Sequence, residues 1–179
     1  MSVTKSNTMA IIVVAMAMTI SCGSEDSDWL ETKRNDSDEA YLAFIKEHPG
    51  DLHIEEARTR LETNNFKRAQ KQNTIAAVEA FIERFPGGQF AQEAENKLQL
   101  MYYVQAEKKN TGDAYTAFVE QFPTGKYADK ARDALAPFEF AQIAYGGSIE
   151  DLEEFLTRHP TGKTADRARA KLEKLRAKK

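Results

Sequence analysis

The sequence has little of the chemistry on which enzymes, metal centres and disulfide-stabilised proteins depend. Its 179 residues include one cysteine, so no intramolecular disulfide can form. It has three histidines, and it lacks the Gly-x-Ser-x-Gly, His-Glu-x-x-His and glycine-rich phosphate-binding motifs. A metal pair of His48 and His53 is conceivable, but no third ligand has suitable spacing. The sequence therefore predicts a protein that is not an enzyme and that uses no cofactor or metal ion.

An excess of positive charge is also missing. The chain carries 25 basic and 28 acidic side chains, which give a net charge of −3. The basic cluster at its C-terminal end has no interleaved aromatic residues on which bases could stack. These features argue against a nucleic-acid partner.

Long hydrophobic runs are limited to the segment from Met9 to Ile20, which follows Lys5. A helix of this length reaches ~18 Å, whereas a bilayer core is ~30 Å thick. The pattern predicts a signal peptide over residues 1–21. The residues at the end of this segment, Thr19-Ile20-Ser21-Cys22, resemble a bacterial lipobox with Thr in place of the usual Leu. The resemblance implies a diacylglyceryl group on Cys22 and a periplasm-facing anchor in the bacterial outer membrane, with a periplasmic or inner-membrane location as the alternative. Residues 22–28 would form an acidic tether.

Proline is scarce but regularly placed, because four of the five prolines stand 37 residues apart. Three further columns keep this interval, and a fifth column is always aromatic. A fixed period of this length, without insertions, is typical of repeat arrays. The columns are Phe44, Phe81, Phe118, Phe155; Pro49, Pro86, Pro123, Pro160; Ala57, Ala94, Ala131, Ala168; Leu61, Leu98, Leu135, Leu172; and Trp29, Phe66, Tyr103, Phe140.

Each copy predicts two helices around a turn. A one-sided apolar stripe leads to Phe118, and Pro123 ends that helix because proline has no N–H group. The next helix is predicted to start at Gly125, with Asp51, Gly88 and Gly162 as the corresponding N-caps. Pro137 predicts a kink or a new helix start, and Asn64-Asn65 predict a similar interruption. A single hairpin of this kind cannot bury its apolar stripe, so the copies are expected to stack.

The Phe, Pro, Ala and Leu columns, as they stand from Ala114 to Leu135, resemble the tetratricopeptide family. They are most similar to its long-helix variant, which occurs in the lipoprotein of the outer-membrane β-barrel assembly machine and in the Tol–Pal accessory protein. The resemblance implies an all-α fold: a right-handed αα-hairpin solenoid of about four 37-residue repeats, forming one domain over residues 29–179. It also implies a non-enzymatic, membrane-tethered scaffold for a protein or peptide partner, in outer-membrane assembly or envelope maintenance.

In tetratricopeptide arrays the first helix of each pair lines the concave surface. With Ala91, Ala94 and Leu98 placed in the core, the resemblance implies an exposed polar stripe that accepts a basic or neutral partner segment. The alternative partner is an anionic envelope polymer, because residues 22–62 have a net charge of −7 and residues 160–179 have a net charge of +6. The basic end also suits a polar cap on the last repeat. The stripe comprises Gln89, Gln92, Asn96, Gln99, Glu55, Thr59, Glu62, Lys126, Asp129 and Asp133, and the basic end comprises Arg169, Lys174, Lys178 and Lys179.

Overall fold

The computed structural model describes the backbone of residues 24–178 and the side chains of residues 27–178. All regular structure in this part of the chain is α-helical. The predicted signal peptide, Cys22 and Lys179 lie outside the described residues. The first helix begins within the predicted tether. The helices are α1 Ser24–Asn35, α2 Asp38–Glu47, α3 Ile54–Gln72, α4 Ile75–Arg84, α5 Ala91–Lys109, α6 Gly112–Gln121, α7 Ala128–Ile143, α8 Ile149–Arg158 and α9 Lys163–Arg176.

The chain forms two compact units that divide between Arg58 and Thr59, within α3. Unit 1 contains α1, α2 and the start of α3, and unit 2 contains the remaining helices. For comparison of equivalent positions, the 37-residue copies are numbered 1 to 4 and comprise residues 28–64, 65–101, 102–138 and 139–175. Long helices α3, α5 and α7 alternate with short helices of ten residues, α4, α6 and α8.

Every short helix starts at a hydroxyl side chain. The Oγ atom of each accepts a hydrogen bond from a backbone N–H three residues later, at 3.1–3.3 Å, which satisfies a donor that the first helical turn leaves unpaired. The preceding residue is in the left-handed region in three copies, where Asp and Asn are tolerated better than most side chains. This hydroxyl column keeps the 37-residue interval. Its members are Ser37, Thr74, Thr111 and Ser148.

Every short helix also ends in the same way. His48, Phe85, Phe122 and His159 are the C-cap residues, and each N–H donates to the carbonyl of the Phe four residues earlier. The rings of the two residues lie 4.8–5.2 Å apart. His48 and His159 therefore pack at helix ends in the same way as Phe85 and Phe122.

In unit 1 the aromatic side chains surround Trp29, which is 2% exposed. Its ring centroid lies 5.1 Å from that of Phe44, and the ring of His53 stacks on it at 5.0 Å. Tyr41 is fully buried, and its hydroxyl donates to Asp36 at 2.6 Å. Asp51 accepts from the backbone N–H of His53 at 2.7 Å, which holds the pKa of Asp51 below its ordinary value.

Unit 2 contains three apolar clusters, each built from three consecutive helices. In the second cluster Phe118 packs with Ala131 and Leu135, as the periodicity predicts. The three clusters use nearly the same columns. They comprise Phe66, Ala69, Val78, Phe81 and Ala94; Tyr103, Ala106, Tyr115, Phe118, Ala131 and Leu135; and Ala136, Phe140, Leu152, Phe155, Ala168 and Leu172.

Helix α5 belongs to two of these clusters and buries a different face in each. Ala94 packs in the first cluster and Tyr103 in the second. With ~100° of rotation per residue, the separation between them places the two side chains on opposite sides of the helix. Ala131 and Phe140 of α7 have the same separation and also belong to different clusters. Over its full length, such a helix therefore has no single apolar face.

Neither Pro137 nor Asn64-Asn65 starts a new helix, and three of the four predicted N-caps are wrong. Helix α7 runs through Pro137 without a new start, because this residue is exposed and solvent can satisfy the carbonyl left without an N–H partner. Helix α3 continues through Asn64 and Asn65, where the Asn65 amide donates to the carbonyl of Leu61. Of the predicted N-caps, Gly162 is confirmed. Helices α3, α5 and α7 start three residues after Asp51, Gly88 and Gly125, because a tight turn precedes each of them.

Candidate functional site

The polar stripe predicted as a partner-binding groove is mostly exposed. Eight of its ten members are exposed, with Glu55 in unit 1 and the other seven in unit 2. Asp129 and Asp133 line a cavity of about 300 Å³ together with Arg132, Arg158 and His159. Since Arg132 pairs with Asp129 at 2.7 Å, part of the cavity's charge is already compensated. The other exposed members are Thr59, Gln89, Gln92, Asn96 and Lys126.

The remaining two members, Glu62 and Gln99, were wrongly predicted to be exposed. Glu62 is 9% exposed, and its carboxylate accepts from the backbone N–H of Phe90 at 3.0 Å. Gln99 occupies the same column and lies against Gly125, where an added Cβ would be 2.4 Å from Oε1. Both side chains reach the turn that precedes the next long helix, and the dipole of that helix favours negative charge there. The Gln99 Oε1 atom is buried, and within the described residues it has no hydrogen-bond partner.

A lateral groove lies between the short helix and the preceding long helix in copies 2 and 3. Groove 2 has a volume of about 200 Å³ and groove 3 about 170 Å³. The two grooves are lined by equivalent columns, and alanine pairs on the short helices leave the space open. Apart from the buried Ala69, Phe81, Ala106 and Phe118, the lining is Asn65, Arg68, Gln72, Ala77, Ala80 and Arg84 in groove 2, and Tyr102, Gln105, Lys109, Ala114, Ala117 and Gln121 in groove 3.

The charged residues that line grooves 2 and 3 are all basic: Arg68, Arg84 and Lys109. The carboxylate of Glu79 accepts from the Tyr102 hydroxyl at 2.7 Å. This hydrogen bond raises the pKa of Tyr102, which lines groove 3. The Glu79 carboxylate is thus already hydrogen-bonded to a residue of the groove. The two grooves therefore present cationic and amide groups to solvent.

The same columns form groove 1 in unit 1, with a volume of about 410 Å³ and the opposite charge. Asp28, Glu31 and Glu47 line it, together with His48. Sequence reasoning missed these grooves, although a signal was present. The short helices α2, α4 and α6 each contain Ala-x-x-Ala-Phe, whereas α8 contains Asp-x-x-Glu-Phe.

An open apolar patch lies on unit 2, formed by Ile75, Leu100, Met101 and Val104. Leu100 is 40% exposed and Val104 is 49% exposed. Asn73, Gln105 and Lys108 complete the lining of a depression of about 510 Å³. Exposed clusters of large apolar side chains often mark interaction surfaces.

The predicted basic end has one member in an ion pair and two on the open surface. Arg169 pairs with Asp166 at 2.9 Å, which neutralises part of its charge. Lys174 and Lys178 are exposed, and Lys179 lies outside the described residues. The nearby Arg176 pairs with Glu153 at 2.5 Å.

Each histidine faces a carboxylate. His48 lies 3.6 Å from Asp28, and His53 lies 2.9 Å from Asp51. His159 is 6% exposed, and its Nε2 atom lies 2.7 Å from Glu139 Oε2. No group of three His, Cys, Asp or Glu side chains suited to a metal ion occurs among the residues that the structure describes.

The described helices combine polar and apolar positions along their length. Across residues 24–178, none has both the length and the hydropathy that a membrane crossing requires. In comparisons with known proteins, no protein-family model and no curated protein matches this chain.

Proposed function

We propose that this chain is a lipid-anchored, non-enzymatic scaffold that holds a protein or peptide partner in a bacterial cell envelope. The observation that carries the proposal is a contrast between framework and surface. The N-caps and core columns keep their residue types from copy to copy, whereas the groove linings change from acidic in copy 1 to basic in copies 2 and 3. A constant framework with variable solvent-facing positions is typical of repeat proteins that recognise other chains.

In this proposal the copies stack as a right-handed solenoid of tetratricopeptide-like hairpins. The apolar clusters of unit 2 support stacking, because consecutive clusters share a long helix: α5 belongs to the first and second clusters, and α7 to the second and third. The hairpins would then bury one another's apolar faces, and α9 would close the array with a polar outer surface.

The anchor would be the thioether on Cys22, since two acyl chains suffice for stable membrane attachment. Mass spectrometry of the mature N-terminus tests this part of the proposal. The expected species begins at Cys22 and carries a diacylglyceryl group. An unmodified Cys22, or cleavage at another position, would end the lipoprotein interpretation.

Partner binding is tested with the tethered chain in intact envelopes. A photo-crosslinking side chain at Gln92, Asp129 or Val104, all of them exposed, should yield an adduct of defined mass with another protein. If no position yields a protein adduct, the scaffold proposal fails. If the chain instead retains an anionic polymer, and if added salt and the substitutions Lys174→Gln and Lys178→Gln abolish this retention, the basic end is the functional surface.

A further inference from the structure

Grooves 2 and 3 and the apolar patch all lie on unit 2, and groove 3 meets the patch. Gln105 lines both groove 3 and the patch. Gln72 of groove 2 and Asn73 of the patch are consecutive residues. The apolar patch and grooves 2 and 3 are here together called the central surface.

We propose that the central surface binds an acidic amphipathic segment of a partner protein. The proposal rests on the scaffold function and names the surface and the chemistry of its partner. The apolar side chains of the segment would cover Leu100 and Val104, and its carboxylates would approach Lys108 and Lys109. An apolar centre with a polar rim is the usual anatomy of a protein interface.

The charge of the central surface indicates the sign of the partner. The charged residues that line its three depressions are Arg68, Arg84, Lys108 and Lys109, although the chain as a whole is acidic. A basic segment would be repelled by this surface, and an acidic one would be attracted.

The size of the depressions indicates the kind of partner. Grooves 2 and 3, at about 200 and 170 Å³, are smaller than the ~300–1,000 Å³ of typical small-molecule pockets. Single side chains fit such volumes. An anionic polymer without apolar groups would leave Leu100 and Val104 in water, so a peptide segment suits the whole surface better.

The apolar centre does not follow from the repeat. Where α5 has Leu100, Met101 and Val104, the equivalent positions of α3 have Thr63, Asn64 and Lys67. Met101 packs against the first apolar cluster, whereas Leu100 and Val104 are exposed and are not explained by a core requirement. The difference also defines a variant of α5 in which these three residues are replaced by those of α3. The replacement residues already occur at the equivalent positions of a long helix in this same chain.

The test measures fluorescence anisotropy with the full mature chain and a labelled peptide. The peptide has Leu and Phe at helical spacing and Glu at the other positions. Two control peptides replace Glu with Lys, or Leu and Phe with Ser. The acidic amphipathic peptide should bind at least about tenfold more tightly than either control. Equal binding of all three peptides would overturn the proposal.

The first variant combines Leu100→Thr, Met101→Asn and Val104→Lys, and it should weaken binding at least about tenfold. The second combines Lys108→Gln and Lys109→Gln, and it should weaken binding and reduce its salt dependence. The matched control, Lys174→Gln with Lys178→Gln, removes the same number of charges from the basic end and should leave binding unchanged. If the control variant loses binding as much as the second variant, general electrostatic attraction explains the result and the proposal is wrong.

Other occupants give different outcomes. Self-association of the chain that the triple variant abolishes would assign the surface to a second copy, and binding to anionic lipid vesicles that the same variant abolishes would assign it to a membrane. Either result overturns the proposal.

In the crosslinking experiment, adducts from Gln92 or Asp129 without any from Val104 would leave the scaffold function standing and refute the central surface. No adduct from any of the three positions would refute the scaffold function itself.

Discussion

The hydrogen-bonded pair of Glu139 and His159 can be exchanged for the pair that copy 3 uses at the same positions. In copy 3 these positions hold Tyr102 and Phe122, whose ring centroids lie 5.5 Å apart. In copy 1 the equivalent pair is again an acid and a histidine. The residue types at these two positions therefore change together from copy to copy, which suggests that the two side chains are energetically coupled. We expect Glu139→Tyr and His159→Phe to be destabilising separately and nearly neutral together.

The magnitudes follow from burial and hydrogen bonding. His159 is 6% exposed, so Glu139→Tyr leaves a buried imidazole without its acceptor and should cost about 1–3 kcal/mol. His159→Phe should cost about 1–2 kcal/mol, at the lower end of the range for hydrogen bonds to charged groups, because Glu139 keeps its ion pair with Arg158. The double variant recreates the aromatic pair and should lie within about 1 kcal/mol of the original chain, which gives a coupling energy of about 1–3 kcal/mol.

Urea denaturation followed by circular dichroism measures these free energies, in a soluble chain with Cys22→Ser as the common background. The slope against urea concentration should stay the same for all four proteins, so that the midpoints report stability. Additive effects of the two substitutions would refute the reasoning. They would show that these columns contribute independently and that the acid–histidine and Tyr–Phe pairs are not interchangeable units.

Three further predictions concern packing, capping and pH. Phe118→Ala should lower the free energy of unfolding by about 3–5 kcal/mol because the side chain is 3% exposed, and a loss below about 1 kcal/mol in urea denaturation would contradict the described packing. Gln99→Glu should raise the free energy of unfolding by about 0.3–1 kcal/mol, because it introduces the carboxylate by which Glu62 caps the following long helix, and a lower urea midpoint would refute this reasoning. The backbone N–H of His53 lowers the pKa of Asp51 from 3.8, so this carboxylate contributes stability above its unfolded pKa that is lost as pH falls through the folded value. Asp51→Asn should therefore flatten the acid limb of a plot of melting temperature against pH, and an unchanged acid limb would contradict the assignment.

The core could be predicted from the sequence because its columns are strictly periodic and chemically uniform. Phe118, Ala131 and Leu135 recur without an insertion, and the structure places them in one cluster. The hydroxyl column that caps the short helices keeps the same interval and could have been predicted in the same way. Ser and Thr before an apolar helical stripe are ordinary N-cap signals.

The exposure of the polar stripe was harder to predict. A stripe drawn along one side of a helix does not give the exposed residues of a helix that buries two different faces. The polar stripe follows from the positions of Ala91, Ala94 and Leu98, which hold for the first half of α5. Near Gln99 the buried face changes, so the extrapolated exposure fails there and at Glu62. The grooves depend on which side chains of neighbouring helices face one another, and a stripe on a single helix does not contain this information.

The opposed buried faces of α5 determine where unit 2 could tolerate extra residues. One residue inserted between Ala94 and Tyr103 would turn the second half of the helix by ~100° and advance it by ~1.5 Å. Tyr103 and the side chains that share its cluster would then leave their sites, although no contact of the first half had changed. An insertion in the turn around Gly87, whose surroundings are open, would meet no such constraint. Natural variation in length should therefore accumulate after the prolines and be excluded from the middle of the long helices.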